Sequence, residues 1–306
     1  MIGDTEREEP EWRLTFQDAE SFRNLVEAAA SVMPKVVFNV AKEGDDRFLL
    51  VDGSDMALTC WLRARLAVDH FAFPKGEAGR DAFSFCVECK HVLIAIDTPS
   101  LGSCCIVLEG FEGKAKVRIH VTDPDQGVSF SEKADLDTYV DGERPQHRLQ
   151  PLAYKMMLEV DVVRLRDLVR KARRAHAEFI RFAITLRDDG PQALSRVIMS
   201  YHGDISAWVC FVNRTQTSDD GSIIVRAVSD SMEEGGGEQP PLPSSNFFVG
   251  SYALDKIEAF LKVVKCRVIT SHVQQEQPML FQVPLGPDNE SYVHFLIAPK
   301  IDNNDL

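Results

Sequence analysis

The residues best suited to hold a metal are the cysteines of the stretch CVEC, Cys86 to Cys89, and the adjacent pair Cys104 and Cys105. Two cysteine pairs are the ligands of many structural zinc sites. However, adjacent residues of a strand point to opposite faces, so Cys104 and Cys105 would not converge on one ion. We therefore expect buried thiols, with no metal and no other cofactor.

Little in the sequence supports catalysis. The eight histidines show no paired spacing, and the chain has no GxSxG, Walker or GxGxxG motif. Adjacent acids in RDDG, which contains Asp188 and Asp189, and in TSDDG could bind a divalent cation, but both stretches lie between strand patterns and favour turns. We expect no catalytic residues and no enzyme. A metal-dependent nuclease that uses these acids is the weaker alternative.

The stretch Asp161 to His176, DVVRLRDLVRKARRAH, is strongly basic in a chain whose formal net charge is −13. Its apolar residues recur at offsets of three and four, which predicts an amphipathic helix with one buried stripe. The other face carries Arg166, Arg170, Lys171, Arg173 and Arg174. Like charges one turn apart repel by about a few tenths of a kcal/mol per pair, so this face indicates an anionic partner. A solvated surface helix is the alternative.

Length and composition exclude several classes of protein. With 306 residues and 34.3 kDa, the chain can hold two domains with separate cores. The pI near 5.1 argues against a general nucleic-acid binder unless the positive charge is confined to one surface. No apolar run approaches the roughly 18 residues of a membrane span, and the acidic start MIGDTEREEPEW does not resemble a targeting signal. Seven cysteines, an odd number, favour reduced thiols inside the cell.

The predicted elements occur in the same order twice: strand, helix, three strands, strand, helix and three strands. In the first copy the helices are AESFRNLVEAAASV, capped by Asp18, and the short CKHVLIAI. The second copy begins near Tyr154, and its helices are the basic one and YALDKIEAFLKVVK. FRNLV at Phe22 to Val26 also matches LRDLV at Leu165 to Val169. The repeat predicts two similar α+β domains, residues 1–134 and 154–306.

Three stretches are predicted to be irregular because they are polar and rich in glycine or proline. Residues 135–153 form an extended connector between the domains, PKGEAGR is a loop in the first domain, and Asp230 to Ser245 is a surface loop in the second. The stretches around them, among them MALTCWLRARL and VSFSEKA, are β-rich and predict strands.

Several stretches resemble one known family. The ending HFLIAPKI, His294 to Ile301, looks like the Tyr-Tyr-Leu-Ala-Pro-Lys-Ile tail of proliferating cell nuclear antigen (PCNA), the DNA sliding clamp of eukaryotes and archaea. VDGSDMAL, Val51 to Leu58, resembles its Met-Asp-Ser-Ser-His-Val-Ser-Leu loop, and ADLDTYVDG resembles the start of its interdomain connector. SFRNLVEA and SYALDKIEAFLK are similar to its inner helices. The similarity covers about Leu14 to Ile301, so the chain is identified as a divergent member, with a viral source as one interpretation.

The resemblance implies a closed ring of three identical subunits. Each subunit would have two tandem domains, and each domain two inner helices backed by antiparallel β-sheets. Such a ring encircles duplex DNA independently of its sequence and tethers DNA polymerase and other replication and repair proteins. It also implies a clamp loader, no contact with a membrane, and a place in the nucleus, or in the host nucleus or a viral replication site. A heterotrimeric checkpoint clamp subunit and a monomeric processivity factor are the alternatives.

The resemblance also implies which residues face the DNA, on or near the four helical segments. They are Arg23, Lys90, His91, Arg166, Arg170, Lys171, Arg173, Arg174, Lys262 and Lys265. Long cationic side chains that contact phosphates without reading bases permit sliding. Asn24, Ala30 and Ile94 stand where the family has lysine. We therefore expect the first domain to make fewer contacts with DNA phosphates than the second.

Two further surfaces follow from the resemblance. Ring closure would pair Val128 to Ala134 of one subunit with Ile205 to Asn213 of the next, since both are β-rich; covered edges within a monomer are the alternative. Client proteins would insert a helical turn into a mostly apolar pocket formed by Val51, Asp55, Met56, Leu58, Tyr139, Val140, Pro278, Leu296, Ile297, Ala298 and Pro299. Asp55 replaces a histidine of the family and Leu296 a tyrosine. The alternative is that these are core and turn residues.

Overall fold

The computed structural model describes residues 9–72, 82–98, 104–111, 115–122, 134–138, 154, 156–185, 194–214, 224–227, 247–285 and 290–300. The chain forms two compact units that divide between Gln146 and His147, within the predicted connector. The unit boundaries differ from the predicted ones in two places. Pro284–Val293 belongs to the first unit and Leu58–Cys60 to the second.

The first half of the chain is a set of antiparallel strands with two helices. In chain order its elements are β1 (Trp12–Phe16), α1 (Ala19–Val32), β2 (Lys35–Glu43), β3 (Asp46–Ser54), β4 (Cys60–Ala67), β5 (His70–Ala72), β6 (Ala82–Glu88), α2 (Cys89–Ala95), β7 (Cys105–Gly110), β8 (Lys116–Thr122) and β9 (Ala134–Asp137). Its strands neighbour one another in the orders β5-β1-β7-β8-β9 and β4-β3-β2-β6.

The second half repeats this arrangement element for element. Its elements are β10 (Met156–Asp161), α3 (Val162–Arg174), β11 (Phe179–Thr185), β12 (Leu194–Tyr201), β13 (Ala207–Arg214), β14 (Ile224–Ala227), β15 (Phe247–Ala253), α4 (Leu254–Val263), β16 (Val268–Val273), β17 (Met279–Pro284) and β18 (Tyr292–Ile297). Its strand orders are β14-β10-β16-β17-β18 and β13-β12-β11-β15. The predicted α+β repeat is therefore confirmed, and each half has one short strand, β5 or β14, beyond the predicted repeated order.

Both long helices begin where the sequence predicted, at an aspartate that caps them. Asp18 Oδ1 accepts hydrogen bonds from the backbone N–H groups of Glu20 and Ser21, each at 3.0 Å. Asp161 Oδ1 accepts from Val163 N at 2.8 Å and from Arg164 N at 3.1 Å. A cap of this kind is worth about 1 kcal/mol because it satisfies backbone donors that have no partner inside the helix.

The helices α1 and α4 each bury a phenylalanine in an aromatic cluster. In the first half the ring of Phe22 on α1 lies 5.0 Å from the ring of Phe16. In the second half the ring of Phe260 on α4 lies 4.7 Å from Phe281 and 5.0 Å from Phe295. Burying such a side chain contributes about 1.5–3 kcal/mol. The cores therefore fix which face of each helix remains exposed.

Several element boundaries differ from the predicted ones. The strand predicted from Met56 begins at Cys60, because Leu58 has a left-handed φ of 54° in the turn before it. The helix predicted to reach Lys265 ends at Val263, because Val264 is already extended. The connector begins after Asp137 rather than at Asp135, because β9 pairs with β8, with Asp137 opposite Lys116.

Several predicted features lie outside the described residues. These are the loop PKGEAGR, the segment Asp230 to Ser245, the acidic turns RDDG and TSDDG, residues 128–133 of the predicted ring edge, and Tyr139 and Val140 of the predicted pocket. Among the helices that are described, none is long and apolar enough to cross a membrane.

Candidate nucleic-acid interface

The exposed face of α3 is the most basic surface among the described residues. Val162, Leu165, Leu168, Val169 and Ala172 of this helix are buried. The exposed positions carry six cations, Arg164, Arg166, Arg170, Lys171, Arg173 and Arg174, against one acid, Asp167. An amphipathic helix thus presents nearly all its charge on the side away from the core, where it can attract phosphates.

The acid Asp167 neutralises part of this face. Lys171 Nζ lies 2.7 Å from Asp167 Oδ2, and Arg170 also pairs with the same carboxylate. Hydrogen bonds from Lys171 and then from Arg170 hold the pKa of Asp167 below its ordinary value. Exposed ion pairs of this kind contribute little to stability. Both cations can therefore exchange Asp167 for a phosphate at a small cost in folding free energy.

The other cations of α3 differ in how tightly they are held. The Arg173 guanidinium is 3.9 Å from the Glu258 carboxylate on α4, and Arg174 has no ion-pair partner among the described residues. On α4, Lys262 is exposed in the last turn, and Lys265 is exposed two residues past the helix end. Arg174, Lys262 and Lys265 are thus exposed cations that could contact phosphates.

Arg166 has a structural role that the sequence did not predict. One of its terminal nitrogens donates to the backbone oxygens of Leu261, at 2.9 Å, and Val264, at 2.6 Å. These carbonyls belong to the end of α4, where no helical N–H is left to bond them. The guanidinium therefore ties α3 to the C-terminus of α4 and is not an unengaged phosphate ligand.

We expect Arg166→Ala to lower the free energy of unfolding by about 1–3 kcal/mol, because it leaves two carbonyls at the end of α4 without their charged donor. Arg174→Ala is the matched control on the same helix and should change stability by less than about 0.5 kcal/mol. Chemical denaturation of the two variants measures the difference. Equal stabilities would contradict the structural role of Arg166.

The helices of the first half offer few unpaired cations. Arg23 on α1 pairs with Glu27 at 2.9 Å and lies 3.9 Å from Asp97. On α2, Lys90 is exposed, and His91 Nε2 lies 3.5 Å from the Glu88 carboxylate. Positive charge is therefore concentrated on α3 rather than shared evenly by the two halves.

Comparison with known proteins identifies the fold. No family model and no curated protein matches the chain. Among solved structures, PCNA of Entamoeba histolytica superposes with a TM-score of 0.66 at 14% identity, over 96% of this chain and 100% of that one. PCNA of Thermococcus kodakaraensis gives 0.69 at 14% identity, over 94% and 100%. The PCNA2–PCNA3 complex of Sulfolobus tokodaii gives 0.65 at 13% identity, over 94% and 99%.

This chain has the PCNA fold. The similarity extends over nearly the whole length of both chains, and the duplicated order of elements is what two tandem halves of that fold require. At this level of identity the superposition concerns the backbone. The chemistry of the PCNA-like surfaces must be taken from the residues of this chain.

The residues predicted for the client pocket of this PCNA fold differ widely in exposure. Val51, Leu296 and Ile297 are buried among core side chains and present no surface for a peptide in this structure. Met56 is fully exposed, Leu58 is 37% exposed and Asp55 is half-buried. The turn that carries Met56 and Leu58 is therefore the part of the predicted set that a partner can reach.

The other described residues of the predicted pocket, Pro278, Ala298 and Pro299, each take part in a backbone hydrogen bond or bridge. Ala298 N donates to Thr59 O at 2.9 Å, which brings the tail beside the loop that follows Leu58. Pro278 O accepts a hydrogen bond from the Tyr154 hydroxyl at 2.9 Å, and Pro299 forms an isolated bridge with Tyr252. Tyr154 was not among the predicted residues, since a lone tyrosine before a strand carries no sequence signal.

The cysteines that were considered as metal ligands are buried thiols in the PCNA-like fold. Cys86, Cys89, Cys104 and Cys105 are all less than a tenth exposed. Burial raises the pKa of Cys89 to about 12, so it stays protonated at neutral pH. Over the described parts of the chain, no group of three or more histidine, cysteine or acidic side chains could hold a metal ion.

Proposed function

We propose that this protein is a sliding clamp without enzymatic activity: copies of the chain form a closed ring around duplex DNA and tether DNA polymerase and other proteins to it. The observation that carries the proposal is the basic outer face of α3 in a chain of net charge −13 and PCNA fold. Cations confined to one surface attract phosphates, while acid elsewhere repels them. Retention on DNA would come from encirclement rather than tight contact.

Ring closure is supported by two strands that lie at sheet edges. Within the described residues, β9 and β13 each have a neighbouring strand on one side only. Unpaired strand edges favour pairing with another chain. β13 contains most of the predicted edge Ile205 to Asn213, whereas the partner edge is β9 and contains only Ala134 of the predicted segment. We propose that β9 of one copy pairs with β13 of the next.

The internal repeat supports this pairing. In the second half the equivalent of β9 is β18, and in the first half the equivalent of β13 is β4. Residues at the ends of these two strands are hydrogen-bonded within each unit: Ala298 N donates to Thr59 O at 2.9 Å in the second unit, and Ala67 N donates to Ser291 Oγ at 3.0 Å in the first. A head-to-tail contact between copies closes into a ring when its rotation permits, and three copies of a two-domain chain are the number that the PCNA resemblance implies.

The alternatives make different assemblies. A checkpoint-type clamp subunit forms a ring only with other chains, and a monomeric processivity factor forms none. The mass in solution separates the three, because a homotrimer has three times the 34.3 kDa of one chain. The candidate acids of the alternative metal-dependent nuclease, Asp188 and Asp189, lie outside the described residues, and cleavage of labelled DNA in the presence of magnesium tests this alternative. A clamp loader and action in the nucleus, or at a viral replication site, follow from the clamp proposal.

Client proteins are proposed to bind at the turn that carries Met56. An exposed methionine is flexible and polarisable, so it can adapt to different hydrophobic anchors. We expect Met56→Glu to weaken binding of a fluorescein-labelled peptide with aliphatic and aromatic anchors one helical turn apart by about tenfold or more, since a hot-spot residue is worth about 2 kcal/mol. Fluorescence anisotropy measures the change.

Ile94→Glu is the matched control for this substitution. It also places a carboxylate at an exposed apolar position, but on α2. The control should leave the affinity for the peptide unchanged. If Met56→Glu binds as well as the original chain, client binding lies elsewhere.

A further inference from the structure

A cleft of about 700 Å³ lies in the second half, on the exposed face of β11, β12 and β15. Ile180, Phe182 and Ile184 of β11 are buried in the core, whereas Phe179 and Arg181, which alternate with them at the start of the strand, line the cleft. Because alternate residues of a strand face opposite sides, the cleft and the core lie on opposite faces of this sheet. None of the residues predicted to contact DNA or client peptides lines this cleft.

Arg181 occupies the centre of this surface. In the sheet register it lies between Ser200 on β12 and Ser251 on β15, and all three residues line the cleft. Arg181 is exposed and has no ion-pair partner among the described residues. A guanidinium flanked by two hydroxyl groups is an arrangement that recognises an oxyanion, because the planar fork and the hydroxyls all donate hydrogen bonds.

Lys300 supplies a second cation at a fixed position. Its ammonium nitrogen lies 4.4 Å from the centroid of the Phe179 ring, and its backbone N donates to Ser251 O at 2.7 Å. The cation–π contact and the hydrogen bond hold the side chain above β11. Arg181 and Lys300 therefore border the same part of the cleft, since Phe179 and Arg181 are alternate residues on one face of β11.

The remaining polar groups of the cleft limit what can bind. His176 Nδ1 lies 2.6 Å from Asp204 Oδ2, and His202 is bonded to Ser206 Oγ. Glu178, the acidic residue that lines the cleft, is exposed. A continuous row of phosphates would meet Glu178 and Asp204, and Lys300 covers the Phe179 ring on which a base could stack. The surface is thus poorly suited to single-stranded nucleic acid.

We propose that this cleft binds an extended acidic peptide segment of a partner protein, with a carboxylate held between Arg181 and Lys300. A peptide fits better than a small anion because the cleft crosses three strands, which are spaced by about 4.8 Å, so an extended segment can span it. The inference is independent of ring formation. Pairing through the edge of β13 uses backbone groups in the plane of the sheet and leaves this face open.

The test is fluorescence anisotropy with the full chain and a short fluorescein-labelled peptide of alternating glutamate and serine. We expect binding by the original chain and a loss of about tenfold or more in Arg181→Glu, because one charged partner becomes repulsive. Lys300→Glu should also weaken binding, and Arg181→Lys should retain part of it. Circular dichroism confirms that the variants fold. Lys42→Glu, at an exposed position on β2, is the control of equal charge change.

Several results would overturn the proposal. These are no binding of the glutamate peptide by the original chain, equal weakening in Lys42→Glu and Arg181→Glu, or equal binding of a peptide with glutamine in place of glutamate. Exclusive binding of a phosphoserine peptide would overturn the assignment to carboxylates. Tighter binding of single-stranded DNA through Arg181 would identify the cleft as a nucleic-acid site instead.

Discussion

Replacing Arg170 and Arg174 together by glutamate is expected to weaken binding to duplex DNA by about tenfold or more at low salt while leaving the fold and the oligomer intact. Both side chains are exposed on α3, and neither contacts the core. Removing one cation that binds a phosphate should reduce the slope of log affinity against log salt by about 1. Fluorescence anisotropy with a labelled duplex, repeated over a salt series, measures both quantities.

Two control variants separate the position of the charge from its amount. The double variant Lys42→Glu with Arg63→Glu changes the net charge by the same amount as the α3 variant, but at exposed positions of β2 and β4. Arg23→Glu acts on α1, where the cation is already paired with Glu27 at 2.9 Å. Both should reduce the salt slope less than the α3 variant. An equal reduction in the two double variants would mean that DNA responds to net charge rather than to α3.

Gly203→Ala is expected to lower the free energy of unfolding by about 3 kcal/mol or more, because no space exists for a side chain. A Cβ at this position would lie 1.9 Å from the backbone oxygen of Ala175 and 2.8 Å from Ala177 N. The turn between β12 and β13 is also bonded to the end of α3, with Asp204 N donating to Ala175 O at 2.8 Å. The clash is with backbone, so it cannot be relieved by rotating a side chain.

Gly44→Ala is the matched control for that substitution. Gly44 has a left-handed φ of 64°, and a Cβ there would meet nothing within 4 Å. Its cost should therefore be only the backbone preference of about 1 kcal/mol. Thermal and urea denaturation measure the free energy of unfolding of both variants. A Gly203→Ala protein as stable as Gly44→Ala would show that the turn moves freely away from α3.

The sequence could predict those parts of the fold that depend on local signals. The bounds of α1 and the caps at Asp18 and Asp161 follow from a capping residue next to an apolar stripe. The duplicated order of elements followed from the same signals taken twice. Helical periodicity also determined which face of α3 is exposed, because it depends on spacing alone.

The sequence could not predict features that depend on neighbours distant along the chain. Arg166 was assigned to the DNA face because helical spacing shows only that its side chain lies on the face opposite the apolar stripe. The spacing cannot show that folding places the carbonyls of Leu261 and Val264 beside it. Val51 and Ile297 were assigned to a pocket by resemblance. Because alternate residues of β3 and β18 face the core, their side chains are buried there. The end of α4 depends on where the chain must enter β16.

Imaging of the purified protein as negatively stained particles, together with its mass in solution, tests whether copies of the chain form a ring with α3 facing a central opening. We expect a ring with three-fold symmetry, an opening wide enough for duplex DNA, and a mass three times the 34.3 kDa of one chain. Particles of a single chain without an opening, or a ring in which α3 lies on the outer rim, would contradict this arrangement.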